Sequence, residues 1–387
     1  MAPPTRARWG LLVPAAVLAL VAAACGSSST TSSGGSSGGP VKIGYFGALT
    51  GNNSPELGIN INNGVKLAVQ QYNAKGGGPK VTLVEYDSQG DPAQAPQLAQ
   101  KVISDKTVAV VGPAFSGESK VADPIFQQGQ IVNVTPSATN PSLATHGWTY
   151  WHRIVGNDSQ QGPAAATYIA KKLNLKTVAV IDDNSEYGKG LADIVASDLA
   201  KDGATVPVRD HIDPKATDYS ATVNGINGGN VQAVFYGGYY QQAGPLVKQM
   251  RDAGNKAVFF SDDGTKDPKF VSGAGGAAAE GAYVTCPCIP TPSTPAGQAF
   301  ATAYQSASGA APGTYSSQGY DAANFILAAI RAGNTSGKAI NSYLASHTLN
   351  GVTGTIKFAS NGQITPPEIE AYQVQNGSIN PLGVVSQ

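Results

Sequence analysis

The sequence predicts an α/β fold, with two doubly wound, mainly parallel sheets forming two lobes. Short, nearly all-apolar runs such as VAVVGP (108–113) and TVAVIDD (177–183) alternate with stretches of helical periodicity. Continuous apolar strands are what a parallel sheet covered on both faces requires. The strand–helix rhythm also starts twice, near residue 41 and again after 157, with no close repeat between the halves. Roughly 345 residues carry it, enough for two domains.

Before that rhythm begins, Arg6 and Arg8 precede an apolar run over 11–24 that ends in small residues. A comfortable membrane span needs about 20 apolar residues, so residues 1–24 read as a signal peptide. Cys25 directly after the small residues predicts lipid attachment to its thiol, although Ala22 stands where leucine is usual. The alternative is an ordinary secreted protein cut nearby. Residues 25–40, rich in Gly, Ser and Thr, read as a flexible tether that buries nothing.

The first lobe then follows in order. VKIGYFGAL (41–49) is a strand, and residues 58–75 a helix with Ile61, Val65, Ala68, Val69 and Tyr72 on one face, stopped by GGG. VTLVEYD (81–87), a helix over 93–105, VAVVGP, a helix over 117–128 and IVNVT (131–135) continue the alternation. In the second lobe, helices over 159–173, 187–202, 218–227, 241–253 and 267–274 separate strands at 177–183, 205–212, 231–239, 256–263 and 281–285. Beyond the Pro-rich CPCIPTPSTP (286–295) lie three helical stretches and a late pair of strands, GTIKF (354–358) and EIEAYQVQ (368–375).

Charge and cysteine content narrow the function. Charged residues are 13% of the chain, 25 basic against 25 acidic, so no basic face for nucleic acid is expected. Cys286 and Cys288 are too few for a structural zinc site, and no metal or cofactor is expected. In an oxidising exterior they can form a local disulfide or remain free thiols.

In open parallel sheets, ligands bind just beyond the carboxyl ends of strands. Those ends hold Phe115, Ser116 and Gly117, then Ser137, Ala138 and Thr139, then Tyr187, Tyr239 and Tyr240, then Asp262 and Asp263. Hydroxyls and helix-start N–H groups in the first lobe suit a carboxylate. Tyrosines and an acid in the second suit an ammonium group and an apolar side chain. Together they describe an amino acid. Each residue also has a plainer reading: Ser116 as a helix cap, Thr139 bonding its own turn, the aspartates as solvated loop acids, the tyrosines as packing. TPSATNP (135–141), held stiff by two prolines, would orient its donors before a ligand arrives.

IGYFGALTG, GVKLAVQQYNAKGG, TPSATNP, DSQQGPAAATYI, YGKGL, YGGYYQQAGPLVKQMRDAG and AEGAYVT, in that order, resemble the branched-chain amino-acid-binding proteins of ABC transporters, which are type I periplasmic binding proteins. The resemblance runs from about Val41 to the C-terminus. It implies two lobes joined by three crossovers near Asn157, 286–288 and 363–367, hence lobe one as 41–157 with 288–366 and lobe two as 158–287 with 367–387. It implies that Ser116 and Thr139 hold a ligand α-carboxylate through their hydroxyls, with Ala138 between Thr139 and Ser137 in the same turn. The Ser137 carbonyl and Asp263 would take the ammonium, Tyr187 and Tyr239 would form an aromatic lid, and Leu57, Phe115 and Tyr315 would surround the variable group. Asp263 replaces a longer Glu and Phe115 a smaller residue, which leaves the exact amino acid open. The implied protein is a monomeric extracytoplasmic lipoprotein, membrane-held by its N-terminal lipid, that delivers an amino acid to ABC permease subunits. A ligand sensor of the same fold, or a binder of amides or aromatic acids, is the alternative.

Enzyme readings fare worse. GGSSG (34–38) matches a hydrolase pattern only inside the tether, and His146, His152, His211 and His347 are scattered. GNTSGKA (333–339) is one residue short of a phosphate loop, and GKGLAD (188–193) lacks the third glycine of a dinucleotide fingerprint.

Overall fold

The computed structural model describes residues 39–288, 294–365 and 368–385. The expected signal peptide, Cys25 and the tether up to residue 38 lie outside these. Among the described residues no helix is long and apolar enough to cross a membrane.

In chain order the first elements are β1 (Val41–Gly47), α1 (Pro55–Lys75), β2 (Val81–Asp87), α2 (Ala95–Ser104), β3 (Ala109–Val111), α3 (Ser116–Gly129), β4 (Val132–Thr135) and β5 (Trp151–Arg153). They form a five-stranded parallel sheet ordered β2-β1-β3-β4-β5. α4 (Asp158–Thr167), β6 (Thr177–Asp182), α5 (Glu186–Lys201), β7 (Thr205–His211), α6 (Ser220–Gly228), β8 (Ala233–Gly237), α7 (Tyr240–Asp252), β9 (Val258–Ser261), α8 (Pro268–Gly273) and β10 (Tyr283–Cys286) follow. The chain closes with α9 (Pro295–Ser308), α10 (Ser316–Arg331), α11 (Gly337–Ser346), β11 (Leu349–Gly351), β12 (Gly354–Ile356), β13 (Glu370–Gln375) and β14 (Ser378–Val384). The second sheet has seven strands, ordered β14-β13-β10-β9-β8-β6-β7, parallel except for β13 and β14 at one edge.

Both sheets are covered on both faces, which explains their all-apolar central strands. On one face of the first sheet Phe46 meets Phe126 edge-on at 5.8 Å, beside Tyr86 and Val110. In the second, Phe235 and Phe260 pack with Leu191 and Val195 of α5.

The late strands differ from expectation. Residues 354–356 pair with β11 in a separate hairpin, whereas 370–375 join the second sheet, so the two runs are not partners. β5 and β14 were not expected at all. β5 reads WHR, a polar triplet, yet all three side chains are buried. β14 is a mostly exposed edge strand containing Pro381, which an edge tolerates.

α1 starts with Pro55 in its first turn and ends before Gly76 at φ +64°, the usual proline-in, glycine-out punctuation. It lies so close to its neighbours that a side chain at Gly58 would sit 1.7 Å from the Ala48 carbonyl oxygen, and one at Gly64 2.2 Å from that of Ser316. We predict that Gly58→Ala destabilises the protein by about 1–3 kcal/mol, although alanine gains about 1 kcal/mol in an ordinary helix interior. Urea unfolding checks this; an unchanged or raised midpoint would contradict the close contact.

Candidate ligand-binding site

The loops leaving β3 and β4 are sewn together before any ligand is considered. The Thr135 hydroxyl donates to the Pro113 carbonyl at 2.6 Å and accepts from the Ala138 N–H at 3.1 Å. The Ser137 hydroxyl donates to the Ala114 carbonyl at 2.6 Å, and the Asn140 N–H donates to Ser116 Oγ at 3.2 Å. Ser116 is the first residue inside α3, not its cap; the cap position is Phe115, which makes no side-chain cap bond. The Thr139 hydroxyl is buried and interacts with the Asp158 carboxyl, so it does not bond its own turn. Both plainer readings of these hydroxyls therefore fail.

Facing these loops, β8 and β9 end at Tyr239 and the Asp262–Asp263 pair. Neither aspartate is a solvated loop acid: Asp262 is 0% exposed and Asp263 3%. Tyr187, in the first turn of α5, donates to Asp263 Oδ1 at 2.7 Å, and Tyr315 donates to Oδ2 at 2.6 Å. Tyr315 precedes α10, a helix packed along α1, in a left-handed conformation (φ 66°) uncommon for a bulky side chain. It reaches Asp263 from the opposite side to Tyr187, so this acid is gripped from both sheets. Burial raises the Asp263 pKa, which the two phenols partly offset. Burial and the neighbouring Asp263 charge push Asp262 well above the usual carboxylate range.

Leu57, Phe115, Ser116, Ser137, Tyr187, Tyr239, Asp263 and Tyr315 line one narrow cavity, nearly filled by these side chains, with a volume of about 10 Å³. Tyr239 packs against Phe115 (5.4 Å, edge-on) and Tyr187 (5.3 Å). Ala138 and Thr139 do not line it; both are buried beside Ser137. Tyr315, expected beside the variable group, also orients the acid. His152 is buried away from the cavity, bonded to Asn341, and burial lowers its pKa to about 4. Cys286 and Cys288 are joined as a disulfide, Cα–Cα 5.0 Å, in the chain leaving β10. Among the described residues no cluster of three or more His, Cys, Asp or Glu could hold a metal.

Sequence reasoning passed over Asp158 and Arg153. Asp158 opens α4, where an acid reads simply as complementing the helix dipole. It is in fact fully buried with the Thr139 hydroxyl as its side-chain partner, and burial together with the Asp263 charge pushes it up to about 8. Arg153, hidden in the WHR triplet, is 0% exposed.

A cavity where the strand ends of two doubly wound sheets face each other is the place where such folds bind small solutes. Residues 40–378 match the model of the periplasmic binding protein family. The chain belongs to that family, whose members bind solutes and are not enzymes. It is 36% identical over 249 residues to the leucine-specific-binding protein of Salmonella typhimurium, spanning 64% of this chain and 67% of that one. It is 32% identical over 338 residues to an amino acid binding protein of Pseudomonas aeruginosa, spanning 86% of this chain and 90% of that one. Its fold matches the crystal structure of a leucine-binding protein from Thermotoga maritima with a TM-score of 0.82 and 27% identity, over 89% of this chain and 99% of that one.

The buried acids make stability depend on pH. Burial raises Glu118 from 4.5 to about 8 and Asp158 from 3.8 to about 8. Between these limits the folded chain holds protons that the unfolded chain has released, so stability falls as pH rises from about 4.5 to 8, by up to about 1.4 kcal/mol per pH unit for each group. We predict that Glu118→Gln, which cannot ionise, reduces the drop in urea midpoint between pH 5 and pH 7.5. An identical drop in variant and wild type would contradict this.

Proposed function

We propose that this protein captures an amino acid in the cavity between its two sheets and delivers it to an ABC permease. The observation that carries the reading is the polarity across that cavity, hydroxyls on the β3 and β4 loops facing the Asp263 carboxylate. In this reading Ser116 and Thr139 hold the ligand carboxylate, while the Ser137 carbonyl and Asp263 take its ammonium. Each Asp263 oxygen accepts one phenol and keeps a second lone pair for the ligand. Tyr187, Tyr239 and Phe115 close over the apolar side chain with Leu57 and Tyr315, and Ala138 supports the turn from behind.

The lobes are 41–157 with 288–366, and 158–287 with 367–387, which close by hinge motion at the three connections. The protein is extracytoplasmic and monomeric, and after removal of residues 1–24 it is held to the membrane by a lipid on Cys25. Residues 25–40 are the tether between that lipid and the binding lobes.

A thermal-shift screen of residues 39–387 against the twenty amino acids, amides and aromatic acids tests the ligand class. A ligand at a hundred times its Kd adds about 2.7 kcal/mol, enough to raise the melting point visibly. Shifts with amides or aromatic acids alone would overturn the amino-acid reading. Asp263→Ala is expected to weaken amino-acid binding by about tenfold or more with the fold intact, by calorimetry. Unchanged affinity would remove Asp263 from the site.

A further inference from the structure

Among the described residues, Arg153 is the one arginine or lysine with no exposed surface. It enters none of the ion pairs found there. Instead Nη1 donates to the carbonyls of Ala138 (3.1 Å) and Asn140 (2.8 Å), on either side of Thr139, and Nη2 donates to Gln363 Oε1. The Trp151 ring lies 5.1 Å from its Cζ. Burial lowers its pKa to about 10, so it stays charged at neutral pH. The charged group that acts on it is Asp158, whose own carboxyl burial pushes up to about 8.

A buried charge is costly unless something compensates it. Here the compensation comes from carbonyl dipoles, and those dipoles belong to peptides with a second end. The Ala138–Thr139 peptide is trans, so its N–H points away from the guanidinium that holds its oxygen. Among the described residues that Thr139 N–H has no acceptor, while the Thr139 hydroxyl interacts with the Asp158 carboxyl. A bond from a cation to one end of a peptide strengthens the donor at the other.

We propose that Arg153, acting through the 138–140 backbone as a positioning residue, supplies the positive charge by which this site selects a carboxylate. This rests on the amino-acid reading above and deepens it: the ligand must carry an anion at that end, and its carboxamide is refused. The anion never touches the guanidinium. Thr139 does not line the cavity as it stands, so the anion meets the polarised Thr139 N–H once the 137–139 turn makes room. It then feels the cation one peptide layer behind, where charge is screened far less than in water.

Calorimetric titration of wild type, Arg153→Met and Arg153→Lys with L-leucine, L-alanine and their carboxamides tests this, with melting points to confirm folding. Arg153→Met is expected to weaken the acids by about tenfold while changing the amides by less than about threefold. Arg153→Lys keeps the charge without the two-carbonyl grip, and its acid-to-amide preference should stay within about threefold of wild type. Equal weakening of acid and amide by Arg153→Met would reduce Arg153 to scaffolding and overturn the proposal. Loss of the preference in Arg153→Lys would overturn it too, and decides the matter alone if Arg153→Met does not fold. Wild type binding acids and amides equally would sink the charge argument and leave the cavity a binding site. Wild type binding neither would sink the amino-acid reading, and this proposal with it.

Discussion

A carboxylate removed from water on every side must be given a proton, a counter-charge or a full set of donors. Asp263 meets that constraint with two phenols, and much of the local architecture exists to deliver them. Tyr187 comes from the start of α5, fixed by the Ser185 cap, whose side chain accepts from the Gly188 N–H at 2.9 Å. Tyr315 comes from the other sheet's helices and takes a left-handed backbone to reach. Asp262 and Asp158, buried nearby, have fewer donors: the Gly238 N–H meets Asp262 Oδ2 at 2.9 Å and leaves Oδ1 bare, the Thr139 hydroxyl meets Asp158, and burial raises both pKa values. The three acids share one low-dielectric region, so ionising one works against ionising the others.

The opposite wall is governed by Arg153. Its side chain binds the loop after β4, while its backbone N–H donates to the Gly362 carbonyl at 2.8 Å. Gln363 accepts from both Arg153 and Asn157. One guanidinium thus ties the chain leaving the first sheet, the late return of the chain past that sheet, and the loop bearing Thr139.

Most of this was legible where a residue's local role and its tertiary role agree. Residues 81–87 are apolar, β-prone and bounded by turn signals, and the strand sits there as read. The strand-end rule brought Ser116, Ser137, Tyr187, Tyr239 and Asp263 to one cavity. Reading failed where the two roles conflict. A WHR triplet has no strand signature until His152 and Arg153 find buried partners far along the chain, at Asn341 and Gln363. Asp158 hides behind an ordinary helix-start acid. Tyr315 was placed by resemblance at the variable group, but nothing local announces its bond to Asp263, a contact across 52 residues that depends on two sheets meeting. Depth within the wall was equally invisible: Thr139 stands two residues from Ser137 yet does not line the cavity.

The Tyr315 bond has a consequence for how the molecule can be watched. Its phenol is carried by the helices on the first sheet and its acceptor by the end of a strand in the second, so the bond exists only while the two come together. A phenol bonded to a carboxylate absorbs and emits differently from one in water. Tyr315 is one of 16 tyrosines, so a label placed on this phenol alone would report whether its bond to Asp263 is made.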